Sequence, residues 1–522
     1  MSERKKSWAL LAALWALLLL LAALRPLAVP DEGRYGEVGR WMLQSGDWLT
    51  PRLNGIPFFH KPPYLYWLEA ASIALFGAHA WAVRLVPALH AGLMLLALYL
   101  AARHAAGEGV ARRAALMLGT SLAFLVGGQY ANHDMLVAAW IGVAIWSFAA
   151  AFLHGERPQR NLARLGFVAC AFGVLSKGLI GLALPGLVLL AWLAWTRQLR
   201  KILALPWASG LALFGVIAVP WFVLAQRQFP AMLGYLFGTQ QFGRYTGTTF
   251  NNAQPWWFYL ACLVVLLFPW VFFAIQRAAG DVRRARGAID FVAKEWSSLC
   301  WIWLAAIIGF FSIPHSKLIG YALPVVPPLA LLAALGWERA VARRVAAPRA
   351  RALLAALCVL ALGLAVAANT VAGRYTRGRG SEDIARVLAC AARPSDTVYA
   401  VGEFPYDLPF YTQAARPMVV VQDWPTLRRT AGDNWRRELF EGADFDAAAA
   451  RVLQTPEVLE AARDQPGNWL VAPRGSAVPA GWVTLREGSA WTLWRSGPER
   501  PEPAQHESLP GCEHQGAEQR QQ

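Results

Sequence analysis

Residues 31–77 read DEGRYGEVGRWMLQSGDWLTPRLNGIPFFHKPPYLYWLEAASIALFG. An apolar N-terminal segment precedes this stretch and a second apolar segment follows it. It is too polar to cross a bilayer and too patterned to be a spacer. An acidic pair, Asp31-Glu32, opens it, and Lys61-Pro62-Pro63 sits near its middle. Charged groups held at the edge of a hydrocarbon layer are costly, so they mark chemistry or recognition of a charged head group.

The rest of the chain explains why such a stretch lies at a membrane. Only 16% of the 522 residues are charged, and the mean hydropathy is +0.35. The apolar residues fall in many blocks of about 17–25, the length that spans a bilayer core, and the one at 162–175, about 14 long, is expected to be tilted or partly re-entrant. These blocks are 8–25, 81–102, 112–127, 134–153, 162–175, 179–195, 203–225, 256–275, 298–313, 318–337 and 351–372. The expected fold class is a polytopic α-helical membrane protein with about eleven transmembrane helices, within a range of 11–13. Trp8, Trp81, Trp192, Trp195, Trp207, Trp256 and Trp257 stand at block edges and read as an interfacial belt.

Basic residues orient the blocks. Arg4, Lys5 and Lys6 precede the first, and alternate loops carry Arg103, Arg112 and Arg113, then Arg157, Arg160 and Arg164, then Arg197, Arg200 and Lys201. Two further loops hold Arg277, Arg283, Arg284, Arg286 and Lys294, and Arg339, Arg343, Arg344, Arg349 and Arg351. The positive-inside rule places these loops and the N-terminus in the cytoplasm. An odd number of spans then puts everything after 372 outside. The formal charge of +16 reads as topogenic loops beside anionic lipid, not as a nucleic-acid surface.

The expected organisation is a transmembrane domain over 1–372, with exterior loops at 31–80 and 226–255. An exterior α/β domain follows over 373–497, and a disordered tail over 498–522, rich in Pro, Glu and Gln. Tyr35, Val38, Trp41 and Met42 recur at helical spacing, which predicts an amphipathic helix lying on the membrane. Pro62-Pro63 opens a second exterior helix. In the α/β domain, helix-like runs cover 382–392 and 445–464, and β-rich runs lie near 397–401, 417–422, 468–472, 482–486 and 490–495. Cys170, Cys262, Cys300 and Cys358 fall in or beside spans as packing residues. Cys390 and Cys512 lie outside, without spacing that defines a disulfide framework.

This topology filters the ionisable residues. Asp31, Glu32, Arg34, Lys61, Asp134, Lys177, Arg244 and Lys317 stand at span ends away from the basic loops, joined by His60, His133, His315 and Tyr321. Acidic groups and cations on one surface suit a phosphate-bearing substrate, with cations neutralising the phosphate and a carboxylate orienting or deprotonating the attacking group. Each also has a plainer role. Asp31 and Asp134 suit helix N-caps, and Lys177 and Lys317 suit snorkelling to the interface. Tyr321 suits the belt or the core.

At these residues the chain resembles a known family. DEGRYGEVGRWMLQSGDWLTPRLNGIPFFHKPPYLYWL is similar to the first exterior loop of the bacterial aminoarabinose transferases of lipid A. More widely, it resembles the C-type membrane glycosyltransferases that use polyprenyl-phosphate sugars, including the protein O-mannosyltransferases. HDM at 133–135, SKG at 176–178, FGRY at 242–245 and FFSIPHSKLIGYALPVVPPLALL at 310–332 extend the likeness over most of 1–340.

The resemblance implies a C-type glycosyltransferase fold in a bacterial cytoplasmic (inner) membrane, with the active site and a small C-terminal domain in the periplasm. An undecaprenyl-phosphate sugar is the implied donor, and lipid A or a related exterior glycoconjugate the acceptor. Asp31 and Asp134 become the catalytic candidates, and Glu32, Arg34, Lys61, Lys177, Arg244, Lys317 and Tyr321 the substrate-binding ones. A divalent metal cation is implied as well. The family's metal-ligand Glu before the KPP lysine is here His60, and the family's His before the exterior arginine motif is here Gln241. His60 still suits a transition metal, but the sugar need not be aminoarabinose. A protein or another envelope glycan is the alternative acceptor. A lipid-linked sugar flippase or transporter is an alternative activity, although no inverted repeat or matched pair of broken spans is visible. A non-catalytic scaffold is the third alternative.

Overall fold

A computed structural model describes residues 2–243, 245, 247, 252–284 and 291–497. The chain packs as two units. One, here the helical unit, comprises Met1–Ala23, His60–Leu65 and Arg84–Thr370; the other, the mixed unit, comprises Leu24–Phe59, Tyr66–Val83 and Val371–Gln522.

The helical unit gives the chain its class, a polytopic α-helical membrane protein. Among the described residues, seven helices are long and apolar enough to cross a membrane, or eight if the bent pair Phe258–Leu266 and Val271–Ala278 forms one span. That is fewer than the eleven expected, and the difference has physical causes. Blocks 81–102 and 112–127 fall on two helices that meet at a non-helical Gly107 (φ +82°, ψ 174°) within Ala80–Gly119, and the second of them breaks again at Ser121 before the short helix Leu122–Gly127, so neither piece of block 112–127 is long enough to cross alone. Block 162–175 lies in Arg160–Lys177, whose Arg160, Arg164 and Lys177 dilute its hydropathy. Block 179–195 lies in Ile180–Trp195, which has 16 residues. Its length of about 24 Å falls short of a bilayer core of about 30 Å. These two helices form a hairpin turned at Gly178 (φ +87°). Their backbones approach so closely that a Cβ on Gly173 would lie 3.0 Å from the Gly181 backbone, the small-residue contact typical of membrane bundles.

Trp192 is a second correction. It is fully buried, and its indole Nε1 lies 3.3 Å from both the Glu295 carbonyl and Ser298 Oγ. It belongs to the bundle core, with Trp270, Trp296, Trp303 and Trp337. Trp8, Trp81, Trp195, Trp207, Trp256 and Trp257 are exposed, as a belt requires.

The mixed unit is built around the helix Asp31–Ser45. The sequence pattern predicts a helix lying on a membrane, but Glu32, Gly33, Arg34 and all of Gly36–Arg40 are buried. Three glycines on one face permit this. A Cβ on Gly33 would sit 2.9 Å from the Asp407 backbone N, one on Gly36 would meet Val83 and Phe410, and one on Gly39 would meet Glu69. The polar residues that go inside pair with each other, as in Glu37–Arg40 at 2.6 Å. Glu69 is fully buried, and burial, then the charge of Glu32, hold its carboxyl well above the usual range. Gly46, left-handed, ends the helix. The hairpin of β1 (Arg52–Leu53) and β2 (Ile56–Pro57) follows, turned by Asn54-Gly55, both at positive φ.

A mixed sheet completes this unit. Its strands are β3 (Thr397–Val401), β4 (Val419–Val421), β5 (Leu453–Gln454), β6 (Asn468–Pro473), β7 (Trp482–Glu487) and β8 (Trp491–Ser496), in the order β5-β4-β3-β6-β8-β7. The first four neighbours run parallel; β8 is antiparallel to β6 and β7. The β-rich runs land on strands, and the run 382–392 lands on the helix Glu382–Ala391. The run 445–464 does not form one helix. It divides into a 3₁₀ turn at Ala449–Val452, β5 and the helix Val458–Arg463. The helix Trp435–Ala443 has no counterpart in the sequence reading. Cys390 is disulfide-bonded, where its spacing defined no framework.

Candidate active site

In the helical unit, the fold gathers residues from three separate segments. Asn132 caps the helix His133–Leu153 by accepting from the Asp134 amide at 2.9 Å. The cap is therefore Asn132, and the Asp134 carboxylate is left for other partners. It pairs with Lys177, at the C-terminus of Arg160–Lys177, and accepts from Asn132 Nδ2 at 3.2 Å. Lys177 Nζ lies 4.4 Å from the centre of the Tyr321 ring, so a carboxylate and an aromatic face share one ammonium. Gly320, next to Tyr321, leaves the space that the Asp134 carboxylate fills.

Lys317 is buried. Its Nζ donates to the Pro314 carbonyl at 2.6 Å and the Gln254 carbonyl at 3.0 Å. Burial lowers its pKa from the ordinary value. Lys61 is half-buried in the segment His60–Leu65. Arg244 lies outside the described residues.

His60 Nε2 and the Tyr235 hydroxyl are 2.8 Å apart, and Gln240 Nε2 donates to that same hydroxyl at 3.0 Å. Gln241 Oε1 accepts from the Leu179 amide at 2.9 Å, ahead of the helix Ile180–Trp195. Among the described residues, no three His, Cys, Asp or Glu side chains come close enough together to hold a metal ion.

In the mixed unit, Asp31 begins the helix Asp31–Ser45, where the exposed amides favour negative charge. Arg34 Nη2 donates to Asp31 Oδ1 at 2.5 Å and to the Tyr35 hydroxyl at 3.0 Å. Its Nη1 pairs with Glu438. The guanidinium also lies 4.6 Å from the centre of the Tyr35 ring. Burial works against its charge, but Glu438, Tyr35 and Asp31 outweigh that and hold its pKa well above the ordinary value. Glu32 does not face outward with Asp31. It is fully buried, bonded to Arg25 at 2.5 Å and to the Ala28 amide at 2.7 Å, and it fixes the turn that enters the helix.

The structure thus joins Asp134, Lys177 and Tyr321 in one unit, and Asp31 and Arg34 in the other. Arg25 and Glu438 are the partners that sequence reasoning missed. Arg25 sat in sequence as the end of an apolar block, and Glu438 lies 404 residues from Arg34.

Comparison with known proteins gives the class of the fold. ArnT from Cupriavidus metallidurans bound to undecaprenyl phosphate superposes with a TM-score of 0.78 at 24% identity, covering 94% of this chain and 99% of that one. The oligosaccharyltransferase of Archaeoglobus fulgidus superposes with a TM-score of 0.55 at 16% identity, covering 90% and 69%. The fold is that of ArnT.

Sequence carries the likeness further over the membrane part. Residues 5–236 match the family described as dolichyl-phosphate-mannose-protein mannosyltransferase. The undecaprenyl phosphate-α-4-amino-4-deoxy-L-arabinose arabinosyl transferase of Pseudomonas savastanoi pv. phaseolicola is 32% identical over 64% of this chain and 62% of its own length. A second transferase of that name from Pseudomonas fluorescens is 34% identical over 69% and 64%. The chain spans just under two thirds of the length of these relatives. It is like these arabinosyl transferases and the protein mannosyltransferases in sequence, and like ArnT in fold over nearly its whole length.

Proposed function

We propose that this protein is a glycosyltransferase that moves a sugar from an undecaprenyl-phosphate donor to lipid A or a related glycoconjugate, at the outer face of the bacterial cytoplasmic membrane. The observation that carries this reading is the Asp31–Arg34 pair at the N-terminus of a buried helix. A third of the Asp31 side chain is exposed, while Arg34 is 5% exposed. A carboxylate held by a fixed guanidinium and open to solvent is a positioned group, not merely a cap. The curated relatives are named for arabinosyl transfer.

In the reaction, the acceptor attacks the anomeric carbon and the polyprenyl phosphate leaves. Charge develops on the departing phosphate, where preorganised cations act most strongly. Lys61, Lys177, Arg244 and Lys317 are the proposed cations, with Tyr321 shaping the site around Lys177. Asp31 acts at the reacting centre. For a hydroxyl acceptor it removes the proton as attack proceeds; for a lipid A phosphate, already anionic, it positions the nucleophile. Asp134 holds Lys177 in place. Glu32 contributes structure through Arg25.

The proposed topology keeps all eleven spans, counting the kinked and short helices, with the N-terminus cytoplasmic and residues after 372 periplasmic. The match to the mannosyltransferase family over 5–236 supports a protein acceptor as the second reading. Metal dependence through His60 stays a separate proposal, tested by chelation and metal add-back.

Mass spectrometry of lipid A from cells with the intact gene, without it, and with Asp31→Ala tests the reading. Loss of a sugar-sized mass in both altered strains supports it and reports the sugar class. Unchanged lipid A with accumulated undecaprenyl-phosphate sugar transfers the activity to another acceptor. Unchanged lipid A with no accumulated undecaprenyl-phosphate sugar counts against the transferase.

A further inference from the structure

We propose that Glu438, from the C-terminal part of the chain, is a positioning residue for the catalytic carboxylate and acts on Asp31 through Arg34. This rests on the reading of Asp31 as the group at the reacting centre.

Arg34 is shared. One terminal nitrogen, Nη2, reaches Asp31 at 2.5 Å, and the other, Nη1, pairs with Glu438. Arg34 and Glu438 are 5% and 8% exposed, whereas the Asp31 side chain is one-third open. The buried end of this relay is therefore Glu438, and the open end is Asp31. A guanidinium is a planar fork, so fixing one nitrogen fixes the direction of the other. The Tyr35 hydroxyl, 3.0 Å from Nη2, and the Tyr35 ring leave the guanidinium little freedom to turn.

The helix that carries Glu438 is itself held firmly against the first loop. Asn434 caps Trp435–Ala443 by accepting from the Arg436 amide at 3.0 Å, and Tyr406 donates to the Trp435 carbonyl at 2.8 Å. Gly442 leaves room for the Pro57 carbonyl. Phe445 packs on Phe59 with ring centres 5.2 Å apart, and Arg52 reaches Asp446 at 2.9 Å. A carboxylate buried on an element braced at this many points is suited to orient a partner, since a site is only as precise as the shell that supports it. Glu438 also lies beyond the matched stretch 5–236. The C-terminal part of the chain thereby supplies part of the catalytic geometry.

The test is a mutant cycle on the full-length purified protein. The donor is undecaprenyl phosphate carrying 4-amino-4-deoxy-L-arabinose, and the acceptor is lipid A. Glu438→Gln is expected to lower kcat about 10–100-fold, the scale of a roughly 1 Å misplacement, with donor KM unchanged. Glu438→Asp, which keeps the charge, should recover part of the rate. In an Asp31→Asn background, Glu438→Gln should bring no further loss, because the relay has nothing left to orient. A multiplicative loss in that background, or an unchanged kcat for Glu438→Gln alone, overturns the proposal. If Glu438→Gln does not fold, Glu438→Asp takes its place in the same cycle. An Asp31→Asn enzyme at full rate overturns the reading of Asp31 itself, a result distinct from failure of the relay.

Discussion

Two carboxylates in this molecule are each held by a cation, and the two arrangements differ in kind. Asp31 and Arg34 are three residues apart on one helix, and a second acid, Glu438, holds the far side of the guanidinium. Asp134 and Lys177 are 43 residues apart, and the far side of the ammonium meets the Tyr321 ring. In the mixed unit a cation is fixed between two anions, and one anion faces solvent. In the helical unit an anion and a cation hold each other, with both side chains only 11–12% exposed. The first arrangement presents a carboxylate to a reactant. The second stores a cation whose charge is half used.

The sharpest way to break this comparison is to remove the presented carboxylate. Asp31→Asn should lower transfer by about 10²–10⁴-fold, the usual contribution of a positioned acid or base, without altering thermal stability. A comparable loss of stability would make Asp31 a structural residue. Lys177→Met should cost about 10–100-fold in activity if the ammonium meets the donor phosphate, and it leaves Asp134 with its main counter-charge gone. Breaking a buried pair costs about 3–5 kcal/mol, whereas replacing both partners is often nearly neutral. Asp134→Asn with Lys177→Met should therefore recover stability in a thermal melt but not activity. Recovery of both would show that the pair serves only the bundle.

Individual glycines also differ in what they make room for. A Cβ on Gly33 would meet the backbone of Asp407 at 2.9–3.0 Å, and backbone cannot give way. Gly33→Ala should destabilise by about 1–3 kcal/mol, the usual cost of overpacking. Gly142, inside the helix His133–Leu153, has nothing within 4 Å of its would-be Cβ. Gly142→Ala should be neutral or stabilising by up to about 1 kcal/mol. Melting curves of the two variants separate a glycine that permits docking from one that does not.

These contrasts show what was legible in the sequence. The spans were legible because hydrocarbon thickness imposes a length and a composition on them. Their number was not, because block 112–127 breaks at Ser121 into two pieces without a gap in its apolar pattern, and because helices as short as Ile180–Trp195 fall below the length that spans a bilayer core. Asp31 and Arg34 were legible as neighbours, since a helix turn brings residues three apart together. The face they stand on was misread. Tyr35, Val38, Trp41 and Met42 suggested one apolar stripe, whereas Gly33, Gly36 and Gly39 mark a second face on which other segments close. A helix buried on both faces buries charges too, and Glu37–Arg40 and Glu32–Arg25 satisfy one another there. The burial of Arg34 beside Glu438 had no local signal, because a contact across 404 residues is decided by tertiary packing alone.

A pH-dependent test is the most specific to the mixed unit, and it concerns Asp407 beneath Gly33. Asp407 is 1% exposed and accepts from the Ser381 amide at 2.9 Å and the Ser381 hydroxyl at 2.8 Å. Burial pushes its carboxyl up from the ordinary 3.8 to about 6, and the Ser381 bonds counter only part of that. The folded state therefore holds this proton more tightly than the unfolded chain. The associated stability is fully present below the unfolded pKa and is lost as pH rises through the folded one, a window from 3.8 to about 6. The shift corresponds to about 3 kcal/mol across that window. Asp407→Asn cannot titrate, and its amide loses one Ser381 bond, so its baseline falls by about 1 kcal/mol. Thermal melts of both proteins between pH 3.5 and about 7 should then cross as pH rises, with the variant the less stable at the acid end and the more stable at the neutral end. Curves that stay parallel would mean that Asp407 titrates alike in the folded and unfolded chains, and that the site under Gly33 is wetter than its packing implies.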